Sequence, residues 1–253
     1  GILYTVAILV ICGGMSPLTF LALPLWFRRR HISLASFLAL VTTALLLLLG
    51  TIAYLTLEWN GIFTQLAPWD KLHNAFFLSA VGRTAGFNAV DVSTLSPLST
   101  LMTLVFMLIG GCPGGTAGGM KTVTVAIMFL AFWTDLNQEK EIVCRRRLVP
   151  HDVVRRTITI LVAFMLTLTA ALILLFMTQT IAPKLLLFEA VSALGTVGLS
   201  LGATCQLDEI GKIIIMFTMF CGRIGPISIF AVMADDKSVK HEVGYPQEHI
   251  PLT

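Results

Sequence analysis

Two short stretches hold the residues of this chain best suited to chemistry: Arg83-Thr84-Ala85-Gly86-Phe87-Asn88 and Gly195-Thr196-Val197-Gly198-Leu199-Ser200. Neither offers a nucleophile beside a base or a cluster of carboxylates. What a Thr-x-Gly-x backbone offers is oxygen. Gly86 and Gly198 permit backbone angles that aim successive carbonyls at one axis, and carbonyls so arranged replace the hydration shell of a cation, K⁺ above all. The candidate ion-binding residues are therefore Thr84, Ala85, Gly86, Phe87, Asn88, Thr196, Val197, Gly198, Leu199 and Ser200. The plainer alternative is that these glycines relieve crowding between packed helices. It explains neither the short amphipathic run ahead of each stretch, 72–81 and 185–194, nor the repetition.

A second group of residues could govern passage of such an ion. Gly110, Gly111, Cys112, Pro113, Gly114, Gly115, Thr116, Ala117, Gly118 and Gly119 place six glycines and a proline in ten residues, and no helix survives that. With Lys121 and Thr122 the run resembles a phosphate-binding G-x-x-x-x-G-K-[ST] loop. Met120 separates Gly119 from Lys121, however, and no soluble strand precedes the run, so the match fails. A helix break next to a filter reads better as a movable barrier in the conduction path, a static kink being the bland alternative. Arg223 lies mid-way along an apolar helix, too deep to snorkel, where a charge faces a cavity or a partner. It is expected to face the pore and oppose over-tight cation occupancy or take part in gating, rather than to sit in a structural ion pair. Lys121, at the edge of the broken segment, is assigned the same duty. Glu189 and Arg83 are expected to brace the filter rather than touch ions.

These residues need a membrane scaffold, and the composition supplies one. Hydrophobic residues are 56% of the chain and charged residues 12%, against about 25% charged in soluble domains. Several runs reach the roughly 20 apolar residues that cross a bilayer. Cys12, Cys112, Cys144, Cys205 and Cys221 form no C-x-x-C pair and read as packing residues. The five histidines show no metal-ligand spacing. With no H-E-x-x-H or G-x-S-x-G constellation, an enzyme is not expected. No cofactor is expected in this chain, K⁺ being the permeating ion at the filter, and no nucleic acid is expected as a partner.

Taken in order, a first span over 2–27 breaks at Gly13-Gly14-Met15-Ser16-Pro17 and ends at Arg28, Arg29, Arg30 and His31, a cytoplasmic signal. A Leu-rich span over 33–57 leads outward to Glu58, Trp59 and Asn60. Pro68 opens a helix of about ten residues, about 15 Å long and too short to cross. After the first filter stretch, an inward span from Pro97 to Ile109 breaks at the glycine-rich run and resumes over 120–133. The charged segment 135–156 lies inside, 157–180 runs outward, and Pro183 opens a second short helix. A final span over 207–233 is interrupted at Gly222-Arg223-Ile224-Gly225-Pro226, and a polar tail follows.

The two filter stretches align at an offset of about 112 residues, which also sets Phe76 on Phe188 and Gly110 on Gly222. Both units run out, re-enter and return, so the repeats are parallel. The expected fold is an all-α membrane protein of helix–re-entrant pore loop–helix units, K⁺-channel-like and pseudo-symmetric. Gly13-Gly14-Met15-Ser16-Pro17 also matches 222–226. Residues 1–31 are thus expected to be the last helix of an incomplete second unit. Residues 32–135 and 136–234 are the third and fourth units, and 235–253 a cytoplasmic tail. A secondary transporter of small solutes is the runner-up, but it usually shows inverted repeats.

Arg83-Thr84-Ala85-Gly86-Phe87-Asn88, the 110–121 run, Thr196-Val197-Gly198-Leu199-Ser200 and Gly222-Arg223-Ile224-Gly225-Pro226, in this order, resemble the Trk/Ktr/HKT superfamily of potassium transporters. The TrkH- and KtrB-like membrane subunits are nearest. The resemblance covers nearly the whole chain as the C-terminal half of a four-unit protein. It implies a K⁺ uptake transporter in the plasma membrane, multi-pass and of the bacterial inner membrane, with one filter strand from each unit. It further implies a homodimer on a cytoplasmic nucleotide-binding regulatory subunit (TrkA/KtrA-like), and pairing with the missing N-terminal half of the same protein. By resemblance 110–119 is the intramembrane gating loop and Arg223 the positive residue beneath the filter. Na⁺-permeable members belong to the same superfamily.

Overall fold

A computed structural model describes residues 2–27, 32–139 and 141–225. The basic cluster at 28–31, Lys140, Pro226 and the tail at 235–253 lie outside the described residues.

The helices start where caps and prolines dictate. Ser33, Ser96 and Asp208 each accept a hydrogen bond from the backbone N–H three residues on, at 3.1, 3.3 and 2.7 Å. Pro68, Pro97 and Pro183 each take the first helical position, where the missing N–H costs nothing. The result is α1 (Ile2–Gly14), α2 (Pro17–Phe27), α3 (Leu34–Leu57), α4 (Pro68–Val81), α5 (Pro97–Leu108), α6 (Thr122–Leu136), α7 (His151–Thr178), α8 (Pro183–Leu194) and α9 (Glu209–Ile224). Helices α1 and α2 meet at 108° across the expected break. Both α3 (24 residues) and α7 (28 residues) are long and apolar enough to cross a membrane. The chain is mostly helical.

The helices are apolar on their outer surfaces. Leu48, Leu49 and Ile52 on α3, Ile173 and Leu174 on α7, and Phe217 and Phe220 on α9 are all exposed, as a bilayer solvent requires. Only a narrow stripe of α9 (Gly211, Ile215, Thr218, Gly222) turns inward. Helices α4 and α8 are enclosed instead. From Phe188 to Leu194 every residue of α8 is buried, the mark of a helix surrounded by protein. Close approach to α4 is possible because Gly50 leaves room for Ser79, whose hydroxyl donates to the Leu47 carbonyl at 3.1 Å. Tyr54 and Thr103 hydroxyls then join α3 to α5 at 2.8 Å.

Three features differ from expectation. Helix α4 has 14 residues, about 21 Å, where about ten were expected from the same Pro68 start. Helix α7 begins at His151, six residues before the apolar run, since Arg155 and Arg156 stay exposed on its first turns. The charged segment ahead of it contains a hairpin in which β1 (Val143–Cys144) pairs antiparallel with β2 (Arg147–Leu148). Arg145 and Arg146 form its turn at φ 50° and 59°. The hairpin docks on the start of α3: Arg147 donates to the Ile32 carbonyl at 3.3 Å, and Arg145 lies 4.5 Å over the Phe37 ring.

Candidate ion-conduction site

Each Thr-x-Gly-x segment leaves the C-terminal end of an enclosed helix. Gly82 caps α4 and Gly195 caps α8. Beyond the caps the two backbones share a conformation. Thr84 and Gly86 have φ of 73° and 67°, Thr196 and Gly198 of 53° and 89°, and the residue between each pair does not. A β-branched residue at positive φ is a true outlier that costs about 1–3 kcal/mol and persists only where its surroundings impose it. A positive φ at every second position is common to both segments. Neither segment forms a hydrogen-bonded strand.

The amide groups of the second segment are committed behind it. Thr196 N–H donates to the Ala193 carbonyl at 3.0 Å, Val197 N–H to the Ser192 carbonyl at 2.9 Å, and Gly198 N–H to Ser192 Oγ at 3.1 Å. The carbonyls are not. Among the described residues, no carbonyl of 84–88 or 196–200 accepts a hydrogen bond. Buried backbone carbonyls are almost always paired, and those of the buried Val197 and Leu199 have no donor among the described residues. The segments abut at their glycines: a Cβ on Gly86 would lie 2.7 Å from the Val197 carbonyl oxygen, and one on Gly198 3.4 Å from the Gly86 Cα. Within them Val197 and Leu199 are buried, Thr84, Ala85, Gly86, Thr196 and Ser200 half-buried, and Phe87, Asn88 and Gly198 exposed.

Glu189 is 5% exposed and accepts from Ser200 Oγ at 2.8 Å and Thr204 Oγ1 at 2.5 Å. It braces the far end of the segment, as expected. Arg83 makes no such brace. Ser192 was not expected, although a hydroxyl in the last, wholly buried turn of α8 was a signal for it.

The glycine-rich segment returns to within hydrogen-bonding distance of the second Thr-x-Gly-x segment. Its neck is closed by Gly110 N–H to the Met120 carbonyl (2.8 Å), Met120 N–H to Leu108 (3.1 Å) and Thr122 N–H to Gly111 (3.0 Å). Its body is held from three directions. Cys112 N–H donates to the Gly14 carbonyl at 2.9 Å and Thr116 Oγ1 to Gly13 at 2.9 Å. Gly118 N–H donates to Thr196 Oγ1 at 3.0 Å. The Arg223 guanidinium donates to the Thr116 carbonyl and the Lys121 ammonium to the Ala117 carbonyl. Gly114 and Gly119 adopt φ of 77° and 68° to make the turns, Gly115 bonds back to Cys112 at 3.0 Å, and Pro113 is exposed. The Cys112, Gly115 and Gly118 amides are thus engaged by the Gly14, Cys112 and Thr196 oxygens. Arg223 is exposed and has no ion pair among the described residues.

A family model of cation transport proteins, TrkH, matches residues 18–241. The chain belongs to the TrkH family of cation transport proteins. That family transports cations and is not a family of enzymes. The chain is 38% identical to Ktr system potassium uptake protein B of Vibrio alginolyticus over 213 residues, 83% of this chain and 46% of that protein. It is 33% identical to the potassium/sodium uptake protein NtpJ of Enterococcus hirae over 258 residues, 99% and 57% of the two. Ktr system potassium uptake protein D of Bacillus subtilis is 34% identical over 224 residues, 88% and 49%. Among solved structures, the potassium transporter TrkH from Vibrio parahaemolyticus superposes with a TM-score of 0.75 at 18% identity, covering 90% of this chain and 50% of that one. The chain spans about half the length of the curated relatives it matches.

Proposed function

We propose that the chain forms half the pore of a K⁺ uptake transporter, its two Thr-x-Gly-x segments being two walls of one selectivity filter. The observation that carries this is the pair of carbonyl rows without hydrogen-bond donors, each fixed by a strained Thr and a left-handed Gly. A K⁺ ion shedding water would bind these oxygens in place of its hydration shell. Helices α4 and α8 end at the segments, so their negative C-terminal poles favour a cation there. They are re-entrant pore helices in this proposal, and 32–135 and 136–234 are parallel units. The loop at 110–119, in contact with Thr196, is the gate, and Arg223 with Lys121 hold it closed while opposing cation entry. The other half of the pore comes from the remaining part of the protein. Homodimerisation, a TrkA/KtrA-like nucleotide-binding regulatory subunit and a plasma-membrane location belong to the same proposal.

A Na⁺-permeable variant of this function has one observation in its favour, the name of NtpJ as a potassium/sodium uptake protein. Rb⁺ and Na⁺ uptake by cells that lack their own K⁺ uptake systems and express the full-length protein tests both. Rb⁺ uptake with little Na⁺ uptake is the expected result. Comparable uptake of both favours the Na⁺-permeable variant, and uptake of neither removes the proposal.

A further inference from the structure

Carbonyl coordination of a cation has no use for Arg83, and a positive charge next to a cation filter opposes it. Arg83 is 8% exposed, and its guanidinium has no hydrogen-bond partner among the described residues; its Nε is wholly buried and unpaired. A guanidinium carries five N–H donors, and buried charges are normally paired because an unpaired one is strongly destabilising. The aligned position behind the other filter segment is Gly195, which has no side chain and packs against the Met107 carbonyl. The charge is therefore present behind one of these two segments and not the other.

What surrounds it is the hinge of the loop. Arg83 lines a cavity of about 20 Å³ with Gly14, Met15, Thr43, Ala80 and Gly111, room for about one water molecule. The Gly14 carbonyl in that wall is occupied by the loop. It accepts from Cys112 N–H at 2.9 Å, and a Cβ on Gly111 or Gly115 would lie 2.6 or 2.7 Å from its oxygen. Withdrawal of the loop from beneath the filter would strip Gly14 of its donor and enlarge the cavity beside Arg83.

We propose that Arg83 is a positioning residue of the conducting state: when the loop withdraws, its guanidinium donates to the Gly14 carbonyl that Cys112 has vacated. The blocked state leaves the buried Nε of Arg83 without a partner among the described residues while Cys112 holds the Gly14 carbonyl. The conducting state exchanges one deficit for the other. Two arrangements so matched form the bistable element that gating requires. This inference rests on the loop being the gate, and its test separates the two ideas.

The experiment measures Rb⁺ flux through the full-length protein in vesicles for Arg83→Met, in the wild-type background and with 114–119 deleted. With the loop present, the substitution should lower flux about tenfold, the scale of one charge-assisted hydrogen bond, and Arg83→Lys should recover part of it. With the loop deleted, Arg83→Met should change nothing. Loss of flux in both backgrounds means that Arg83 acts on the filter itself, and no loss in either means that it does not act in gating; each overturns the inference and leaves the gate standing. If the deletion alone leaves flux unchanged, the gate fails and the inference with it. A second readout guards against misfolding. Removing an unpaired buried cation should raise the melting temperature of the blocked protein, whereas loss of a structural brace would lower it and overturn the assignment. Arg83→Gln serves for both measurements if the Met variant does not reach the membrane.

Discussion

The Gly118 N–H donates to Thr196 Oγ1 at 3.0 Å, so the glycine-rich loop is bonded to the first residue of the second Thr-x-Gly-x segment. Thr196 thereby does two things. Its backbone, at φ 53°, sets the direction of the carbonyl row, and its side chain latches the loop. Thr196→Val keeps the shape and the β-branch but removes the acceptor. A neutral hydrogen bond of about 1 kcal/mol corresponds to roughly a fivefold change in the fraction of time the loop is docked. Rb⁺ flux through the full-length protein should rise by that order in Thr196→Val and return to the wild-type level in Thr196→Ser. Equal flux in all three would remove the latch.

The two filter glycines should not be equally sensitive. A side chain on Gly86 meets both a left-handed backbone and the Val197 carbonyl oxygen at 2.7 Å, one of the oxygens assigned to the ion. A side chain on Gly198 meets the backbone strain but only ordinary contact, 3.4 Å from the Gly86 Cα. The strain alone costs about 1–2 kcal/mol, roughly tenfold. Gly198→Ser should lower Rb⁺ uptake by that order and loosen the preference for Rb⁺ over Na⁺. Gly86→Ser should do more of both. Unchanged uptake and preference in both variants would sink the filter assignment, and the reverse ranking would show that the abutment at Gly86 is unimportant.

How much of this was legible in the sequence depends on how local the cause was. The helix starts at Pro68, Pro97 and Pro183, the break at Gly13-Gly14 and the Thr-x-Gly-x segments all follow from residues acting on their own backbone. The start of α7 was obscured because Arg155 and Arg156 suggested a loop, although a charged first turn is harmless where it is exposed. The 143–148 hairpin depends on long-range docking to Ile32 and Phe37, which no local pattern encodes. The same holds for the loop's attachment to Gly13 and Gly14. Arg83 was legible as a residue near the filter but not as an unpaired one, because pairing is a property of its neighbours.

The N-terminal end of α9 gives a pH prediction. Asp208 caps the helix through the Gly211 N–H at 2.7 Å and takes a hydrogen bond from the Gln179 amide at 2.5 Å. The Gly211 amide first, then Gln179, hold its carboxyl below the ordinary carboxylate range. A carboxyl depressed on folding contributes stability above its unfolded value, near 4, and that contribution disappears as the pH falls through the lower folded value. The cap should therefore be intact from about pH 5 upward, and Asp208→Ala should lower the melting temperature more at pH 7 than at pH 3. An equal loss at both values would show that Asp208 contributes by something other than its charge.

Arg223 and Lys121 donate to the adjacent carbonyls of Thr116 and Ala117, and two functions are folded together in that arrangement. As donors they fasten the loop; under the proposed function their charges would also repel a cation descending from the filter. Removing either side chain serves both purposes at once, so Arg223→Ala and Lys121→Ala should each raise flux, and neither separates the two. Arg223→Lys does. It keeps the positive charge on a flexible stem but loses the planar fork that fixes the guanidinium against a carbonyl. If repulsion dominates, Arg223→Lys should conduct like the wild type and far below Arg223→Ala. If fastening dominates, it should conduct nearly as well as Arg223→Ala. The exposed position of Arg223 and its want of an ion pair among the described residues leave its charge uncompensated, so the first outcome is expected. Single-channel recordings or Rb⁺ flux from matched amounts of the three proteins decide between them.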